Sequence, residues 1–189
     1  KAAAKDLNIN LQIVFPPDKL TSTYGDLNRY SYEKFAKPYF FSKNKPDIII
    51  SILFRKTGKS ILEFSRDSGV PVFIVNTNIP LNDKIEIKEP RSLYKNFLGL
   101  VAADESQAGE LLLNSLIKKV NKHYTDKNLE VIGINGPRAA YEAIQREHGL
   151  KKAISSLNNV TLHQVVYANW DTGLAYQQTL RLLDRYPNL

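Results

Sequence analysis

Residues 96–116 read NFLGLVAADESQAGELLLNSL, and their character changes at one aspartate. Up to Ala103 they form an apolar run, which is typical of a strand buried on both faces. After Asp104 the apolar residues recur at spacings of three and four, which predicts an amphipathic helix. The stretch therefore predicts a strand that leads directly into a helix, with Asp104 placed to cap that helix.

The same order of strand and helix recurs along the chain. Short β-branched apolar runs predict six strands, at residues 11–15, 47–54, 71–77, 96–104, 129–136 and 160–168. Helical periodicity predicts amphipathic helices at residues 30–43, 58–69, 105–124, 139–157 and 172–186. Strands that alternate with helices favour an α/β fold with parallel sheets and right-handed βαβ connections.

Two segments depart from this order. Residues 78–95 are polar, contain prolines and have no helical period, so a loop is expected there in place of a crossover helix. Residues 1–10, KAAAKDLNIN, look like the last turns of a helix with no strand before it. From this start, and from an end where another strand is expected, the chain is predicted to lack sequence at both ends.

Composition limits the classes of partner. The 189 residues are 43% hydrophobic and 24% charged, which is typical of a globular protein. Lys and Arg exceed Asp and Glu by 26 to 19, but basic pairs such as Lys118-Lys119 lie among polar and apolar residues at helical spacing. This pattern indicates a solvated helix face, so no nucleic-acid binding is predicted for this segment. The absence of cysteine excludes disulfides and suits either the cytosol or the periplasm.

No reactive group is indicated by the motifs. The segment FRKTGKS, residues 54–60, ends like a phosphate-binding loop, but Leu53 stands where that motif needs its first glycine. His123, His148 and His163 show no metal-ligand spacing and no order typical of a catalytic triad. The sequence therefore predicts a protein that is not an enzyme and that holds no metal or cofactor.

The positions that follow each strand are the expected ligand contacts. In open parallel sheets ligands bind in the crevice beyond the carboxyl ends of the strands. These positions hold polar and aromatic side chains, at residues 51–55, 76–78, 104–105, 135–138 and 169–171.

Three phrases together resemble type I periplasmic sugar-binding proteins. SGVPVFIVNT, residues 68–77, is similar to the family's passage from a helix into a strand that ends in a ligand-contacting polar residue. GLVAADESQAGELLLNSL, residues 99–116, is similar to its crossover into a helix that contains Ala-Gly. AIQREHGLKKAI (143–154), followed by VVYANWDTGLAYQQTLRLLDRYP (165–187), resembles its Arg-x-x-Gly helix and Ala-x-Trp-Asp element. The details look nearer to ribose- and galactose-binding proteins than to amino-acid binders.

The resemblance implies an architecture and a role. It implies two Rossmann-like lobes with parallel sheets, incomplete at both ends: residues 1–102 form an N-terminal lobe without its first strand, and residues 103–189 form part of the C-terminal lobe. It implies a periplasmic protein that captures a monosaccharide or related small polar ligand and delivers it to the membrane permease of an ABC importer. An alternative is a sugar-sensing effector domain of a transcriptional regulator or membrane receptor.

The resemblance also implies ligand contacts in the first half of the site. Asn76 stands where the family's strand-end Asp or Asn bonds sugar hydroxyls, and Thr77 stands where an Arg often follows. Asp104 and Glu105 fall at the crossover, where a polar residue contacts ligand or hinge. Ser51 is added by its position alone, since it lies towards the end of the strand predicted at 47–54 and is expected to face the same crevice. From the residues alone, a turn role for Asn76 and a helix cap for Asp104 remain alternatives.

Two residues of the second half complete the predicted set. Arg146 matches the ligand-binding Arg of the Arg-x-x-Gly helix, with Leu150 in place of the common Phe, and an ion pair with Glu142 is the alternative. Trp170 matches the aromatic residue that follows a strand of the second lobe, where an indole can lie against the C–H face of a sugar. The alternative for Trp170 is a core-anchoring role beneath the adjacent helix.

Overall fold

The computed structural model describes residues 2–15, 27–53, 58–79, 83–123, 128–138, 140–187 and 189, with the backbone alone at 27–32. The strands within these ranges are β1 (Ile49–Ser51), β2 (Val72–Val75), β3 (Phe97–Val101), β4 (Leu129–Asn135) and β5 (Val160–Tyr167). The helices are α1 (Ala2–Asp6), α2 (Leu27–Phe41), α3 (Gly58–Ser68), α4 (Lys84–Ile87), α5 (Glu105–Val120), α6 (Tyr141–Ser155) and α7 (Thr172–Arg185).

The strands form two separate parallel sheets. The first has the order β1-β2-β3, and the second pairs β4 with β5. All three pairings are parallel, and the last residue of β4, Asn135, lies opposite the last residue of β5, Tyr167. The predicted α/β fold with parallel sheets is confirmed. The register shifts once in the β2–β3 pair, at Val72/Phe73, and once in the β4–β5 pair, at Val131/Ile132. Because the strands are parallel, the residues that follow them still meet at one edge of each sheet.

Each sheet has its own hydrophobic core. The larger core packs α2 and α3 against the first sheet, and its fully buried members include Phe40, Ile61, Leu62, Val72 and Phe97. Helix α3 is suited to this place because its apolar residues recur on one face, which turns Ile61 and Leu62 inward. The smaller core lies between α5, α6 and the second sheet and is built from Leu113, Ile117, Ala153 and Val160.

Helices α5 and α6 approach each other at two glycines. A Cβ added at Gly109 would lie 2.0 Å from the carbonyl oxygen of Arg146, and one added at Gly149 would lie 1.8 Å from that of Ser106. No side chain fits at these distances, so backbone lies directly against backbone at the crossing. This contact sets how close the beginning of α5 comes to the middle of α6.

Three expectations about particular segments can be compared with the structure. Residues 11–15 do not form the predicted strand: Leu11, Ile13 and Phe15 are 45%, 48% and 79% exposed. No described strand pairs with the segment, and without a partner its backbone gains no ladder hydrogen bonds. The described residues of the segment 78–95, at 78–79 and 83–95, form the expected loop apart from the one-turn α4, and residues 2–10 begin with the short α1, as expected.

A candidate ligand site at the strand ends

The turn from β3 into α5 provides the first acidic groups of the site. Asp104 is the N-cap of α5, and its Oδ1 accepts a hydrogen bond of 2.9 Å from the backbone N–H of Gln107. The predicted capping role of Asp104 is thus confirmed. The next residue, Glu105, is only 7% exposed. A carboxylate this far from water needs a cationic or hydrogen-bonding partner.

Arg146 of α6 is that partner. Its Nε donates to Oε2 of Glu105 over 2.5 Å, and the arginine side chain remains 44% exposed. The alternative ion pair with Glu142 is wrong, since these two described residues form no salt bridge with each other. Among the contacts of the described residues, Nε is the only guanidinium nitrogen of Arg146 that donates a hydrogen bond. The two terminal amino groups are therefore available to a ligand.

Trp170 stands beside this guanidinium. Asn169 and Trp170 both have positive φ, 53° and 61°, in the turn between β5 and α7. The indole lies on Gly136, where an added Cβ would be 2.2 Å from the ring, and the Arg146 guanidinium carbon is 5.7 Å from the ring centroid. Trp170 is 58% exposed, so the core-anchoring alternative is wrong. The turn therefore leaves more than half of the tryptophan surface exposed, next to a cation.

A cleft of about 240 Å³ opens beside the Glu105–Arg146 pair. Its lining residues come from the loop after β2, the turn after β3 and the beginnings of α5 and α6: Asn78, Ala102, Ala103, Asp104, Glu105, Ser106, Tyr141 and Gln145. Arg146 and Trp170 are not part of this lining and are joined to it through Glu105. The cleft therefore touches elements packed on both sheets and is lined mainly by polar side chains.

Tyr141 and Gln145 are lining residues that the sequence interpretation did not name. Burial raises the pKa of the Tyr141 hydroxyl, and the negative charges of Asp104, Glu142 and Glu105 raise it further. The phenol therefore stays protonated at neutral pH and can donate a hydrogen bond. Their positions in the sequence could have indicated both residues. Tyr141 begins the helix that follows β4, and Gln145 lies one turn later on the same helix face.

The predicted contacts from the first sheet are less closely associated with the cleft. Asn76 is exposed and has a φ of 69°, a conformation that Asn tolerates better than most residues. Thr77 is 8% exposed, and its Oγ1 accepts a 2.7 Å hydrogen bond from the Leu53 amide, so its ligand contact stays a prediction. Ser51 donates to the Ile52 carbonyl, and neither Ser51 nor Thr77 lines the cleft.

The remaining sequence predictions concern the segment after β1, a metal site and a membrane-spanning helix. Residues 54–57, which include the possible strand-end contacts Phe54 and Arg55, lie outside the described residues, and Gly58 begins α3. Within the described ranges there is no cluster of three His, Cys, Asp or Glu side chains that could hold a metal ion. Those ranges also contain no helix that is long and apolar enough to cross a membrane.

Two parallel sheets with a polar cleft at their strand ends are typical of open-sheet α/β proteins, in which ligands bind beyond the carboxyl ends of the strands. Residues 41–189 match the family described as the periplasmic binding protein domain, and the chain belongs to that family. The resemblance to type I periplasmic sugar-binding proteins is thereby confirmed.

Individual relatives agree with the family. The galactofuranose-binding protein YtfQ of Escherichia coli (strain K12) is 28% identical over 123 residues, which are 65% of this chain and 34% of YtfQ. A periplasmic sugar-binding protein from Pseudomonas fluorescens has a TM-score of 0.76 and 28% identity, with 98% of this chain and 50% of that one covered.

A third relative supports the fold alone. The solute-binding protein of an ABC transporter from Actinobacillus succinogenes, solved with bound D-allose, has a TM-score of 0.77 and 17% identity. The match covers all of this chain and 59% of that one. The chain thus spans about a third of the curated relative and about half of the solved structures it matches.

Proposed function

We propose that this protein is a periplasmic solute-binding protein that captures a monosaccharide, or a related small polar ligand, for an ABC importer. The names of similar proteins support a sugar: one relative is a galactofuranose-binding protein, and another is a periplasmic sugar-binding protein, both 28% identical to this chain. The match to the periplasmic binding protein domain favours transport over a sensor role, with a membrane permease as the proposed partner.

The observation that carries the proposal is the arrangement of Arg146 and Trp170. Glu105 accepts a hydrogen bond from the Nε–H of the guanidinium and fixes its orientation, while the terminal amino groups can donate hydrogen bonds to the ligand. A planar guanidinium can bond two neighbouring hydroxyls at once. The exposed indole offers the flat apolar surface that the C–H face of a sugar ring requires. Together they match a ligand that is polar at its rim and apolar on its face.

The cleft supplies further polar groups of both kinds. Asp104 offers a carboxylate, Tyr141 a hydroxyl, and Asn78 and Gln145 offer side-chain amides. Hydroxyl groups both donate and accept hydrogen bonds. A lining that mixes donors with acceptors therefore suits a sugar better than a ligand that carries charge of only one sign. We propose that these residues bind and release the ligand unchanged, and that the protein is not an enzyme.

We propose further that residues 1–102 and 103–189 belong to two lobes that close over the ligand. The two sheets and the two cores support this division. The cleft lining combines Asn78, from the loop after β2, with Tyr141, from α6 on the second sheet. A ligand that contacts both groups would be bound best when the lobes are together, and it would therefore select the closed arrangement.

The proposal is tested by calorimetric titration with D-galactose, L-arabinose, D-allose and D-fucose, for the wild type and for Arg146→Ala and Trp170→Ala. We expect saturable binding of at least one sugar, with affinity at least about thirtyfold lower in each variant, as for a binding hot spot. Arg185→Ala is the matched control, because Arg185 also lies over an aromatic ring, at 5.6 Å, but is on the last turn of α7.

Each result has a defined meaning. Sugar binding that survives in Arg185→Ala and is lost in the other two variants supports both the function and the site. Binding that persists in Arg146→Ala and Trp170→Ala refutes the site. A folded wild-type protein that binds no sugar of the panel refutes the proposed ligand class.

A further inference from the structure

A second polar cluster lies between α6 and the ends of β4 and β5. Its centre is Glu147, the residue after Arg146, whose side chain is 14% exposed. Oε2 of Glu147 accepts a hydrogen bond of 2.6 Å from the hydroxyl of Tyr167, and Oε1 accepts one of 2.6 Å from Nζ of Lys151. Tyr167 is the last residue of β5, so this carboxylate ties helix α6 to the end of that strand.

A parallel connection ties α6 to β4. Nδ2 of Asn135, the last residue of β4, donates to the carbonyl of Ala143 over 2.9 Å. Its Oδ1 accepts from the backbone N–H of Gly136, also over 2.9 Å. Ala143 and Glu147 are four residues apart on α6 and thus lie one above the other on the same face. Both strand ends are therefore attached to adjacent turns of one helix.

These attachments lie next to the groups that form the binding site. Arg146 precedes Glu147 in the chain, and Trp170 comes three residues after Tyr167. Gly136, on which the indole lies, follows Asn135. The distance between the guanidinium and the indole is therefore set by how α6 is held against the strand ends.

The turn that carries Trp170 needs such support. Two consecutive non-glycine residues, Asn169 and Trp170, adopt left-handed backbone conformations. Such conformations are disfavoured and persist only where the surrounding structure holds them. Just before the turn, the Tyr167 ring lies under the guanidinium of Arg138, at 4.4 Å from its centroid, while its hydroxyl is bonded to Glu147. The ring is thus held both on its face and at its tip.

We propose that Glu147 is a positioning residue of the binding site: through the Tyr167 hydroxyl it fixes the spacing between the Arg146 guanidinium and the Trp170 indole without touching the ligand. This inference rests on the proposed function for its effect on sugar affinity. Its effect on the indole is independent of any ligand and can be measured in the unliganded protein.

The first variant is Tyr167→Phe, which removes the hydroxyl and keeps the ring. Trp170 is the only tryptophan in the 189 residues, so its emission maximum and its quenching by acrylamide report on this turn alone. We expect altered emission, stronger quenching, and sugar affinity lower by up to about tenfold, because the hydrogen bond that ties the end of β5 to α6 is lost. Glu147→Ala should have the same effects.

Two controls separate positioning from general loosening. Glu147→Gln keeps an oxygen that can accept from Tyr167, so the indole signals should return close to the wild-type values. Tyr186→Phe removes a hydroxyl that is bonded to Gln164 at the end of α7, and it should leave the Trp170 signals unchanged.

The outcomes distinguish this inference from the proposed function. Unchanged Trp170 signals in Tyr167→Phe and Glu147→Ala, or equal changes in Tyr186→Phe, overturn the positioning role. If the wild type binds no sugar while Tyr167→Phe still alters the indole signals, the proposed function fails and the positioning role stands. If Tyr167→Phe does not fold, the comparison of Glu147→Ala with Glu147→Gln decides, and equal signals in both overturn the inference.

Discussion

Replacing Gly149 by alanine should separate the two helices that hold the site together. The new Cβ would lie 1.8 Å from the carbonyl oxygen of Ser106 and 3.1 Å from the amide nitrogen of Glu110. Both are backbone atoms, which cannot rotate away as a side chain can. An ordinary contact of roughly 3.5 Å requires α6 to move away from α5 by about 1.5 Å or more.

The free-energy cost of this movement is partly offset by the higher helix propensity of alanine. Overpacking of a close contact costs about 1–3 kcal/mol, and with backbone on the opposite side the upper part of this range applies. Alanine in place of a helical glycine returns about 1 kcal/mol. We therefore expect Gly149→Ala to lower the free energy of unfolding by about 1–2 kcal/mol, and the melting temperature by about 2–8 °C.

The same movement acts on the binding site. Gly149 is one turn after Arg146, and Ser106 follows Glu105, so a shift at the crossing is transmitted directly to the ion pair. Its 2.5 Å hydrogen bond would open beyond bonding distance, and sugar affinity should fall together with stability.

Urea unfolding and calorimetric titration of the same samples test both effects, with Gly173→Ala as the matched control. Gly173 is also helical, but the nearest atom to its added Cβ is a side-chain oxygen of Asp171, at 3.3 Å. If Gly149→Ala is as stable as Gly173→Ala, the helices do not meet at this glycine and the reasoning is refuted.

Four further changes test other parts of the site. Gly136→Ala places a Cβ where the indole of Trp170 lies, so we expect altered tryptophan emission with unchanged far-ultraviolet circular dichroism. Asp104→Ala removes the cap of α5 and should cost about 1 kcal/mol in urea unfolding. Arg146→Lys keeps the charge but loses the planar fork, so calorimetry should show sugar affinity at least about tenfold lower in a folded protein. Burial tends to raise the pKa of Glu147, but hydrogen bonds from its lysine and tyrosine partners outweigh burial and hold the pKa below its ordinary value of 4.5. Its contribution to stability should therefore be complete above about pH 4.5 and be lost as the pH falls through the lower folded value, and Glu147→Gln should remove this part of the acid dependence of the melting temperature.

The order of strands and helices was predictable because it depends on local signals. Helix α5 begins at Glu105, as predicted, since the cap at Asp104 is formed by residues three positions apart. Its end at Val120 was placed four residues too late, because no glycine or proline marks it. Residues 11–15 show the limit of such signals. Their β-branched composition is typical of a strand, but a strand requires a partner, and a partner is not a local property.

The partner of Arg146 shows the same limit within the site. Spacing along α6 favours Glu142 at four residues, yet the guanidinium binds Glu105, 41 residues earlier in the chain. An i,i+4 pair on a solvated helix face gains only about 0.3–0.5 kcal/mol, which does not hold a long side chain in one place. Glu105 is 7% exposed, so leaving its buried carboxylate without a partner would cost much more free energy than the loss of such a surface pair. The arginine therefore binds the more deeply buried carboxylate, and the two glycines of the helix crossing bring that carboxylate within range. Both glycines can be read directly from the sequence. Their joint effect on Arg146 depends on the angle and distance at which the two helices cross, and residue spacing along one helix does not specify that geometry.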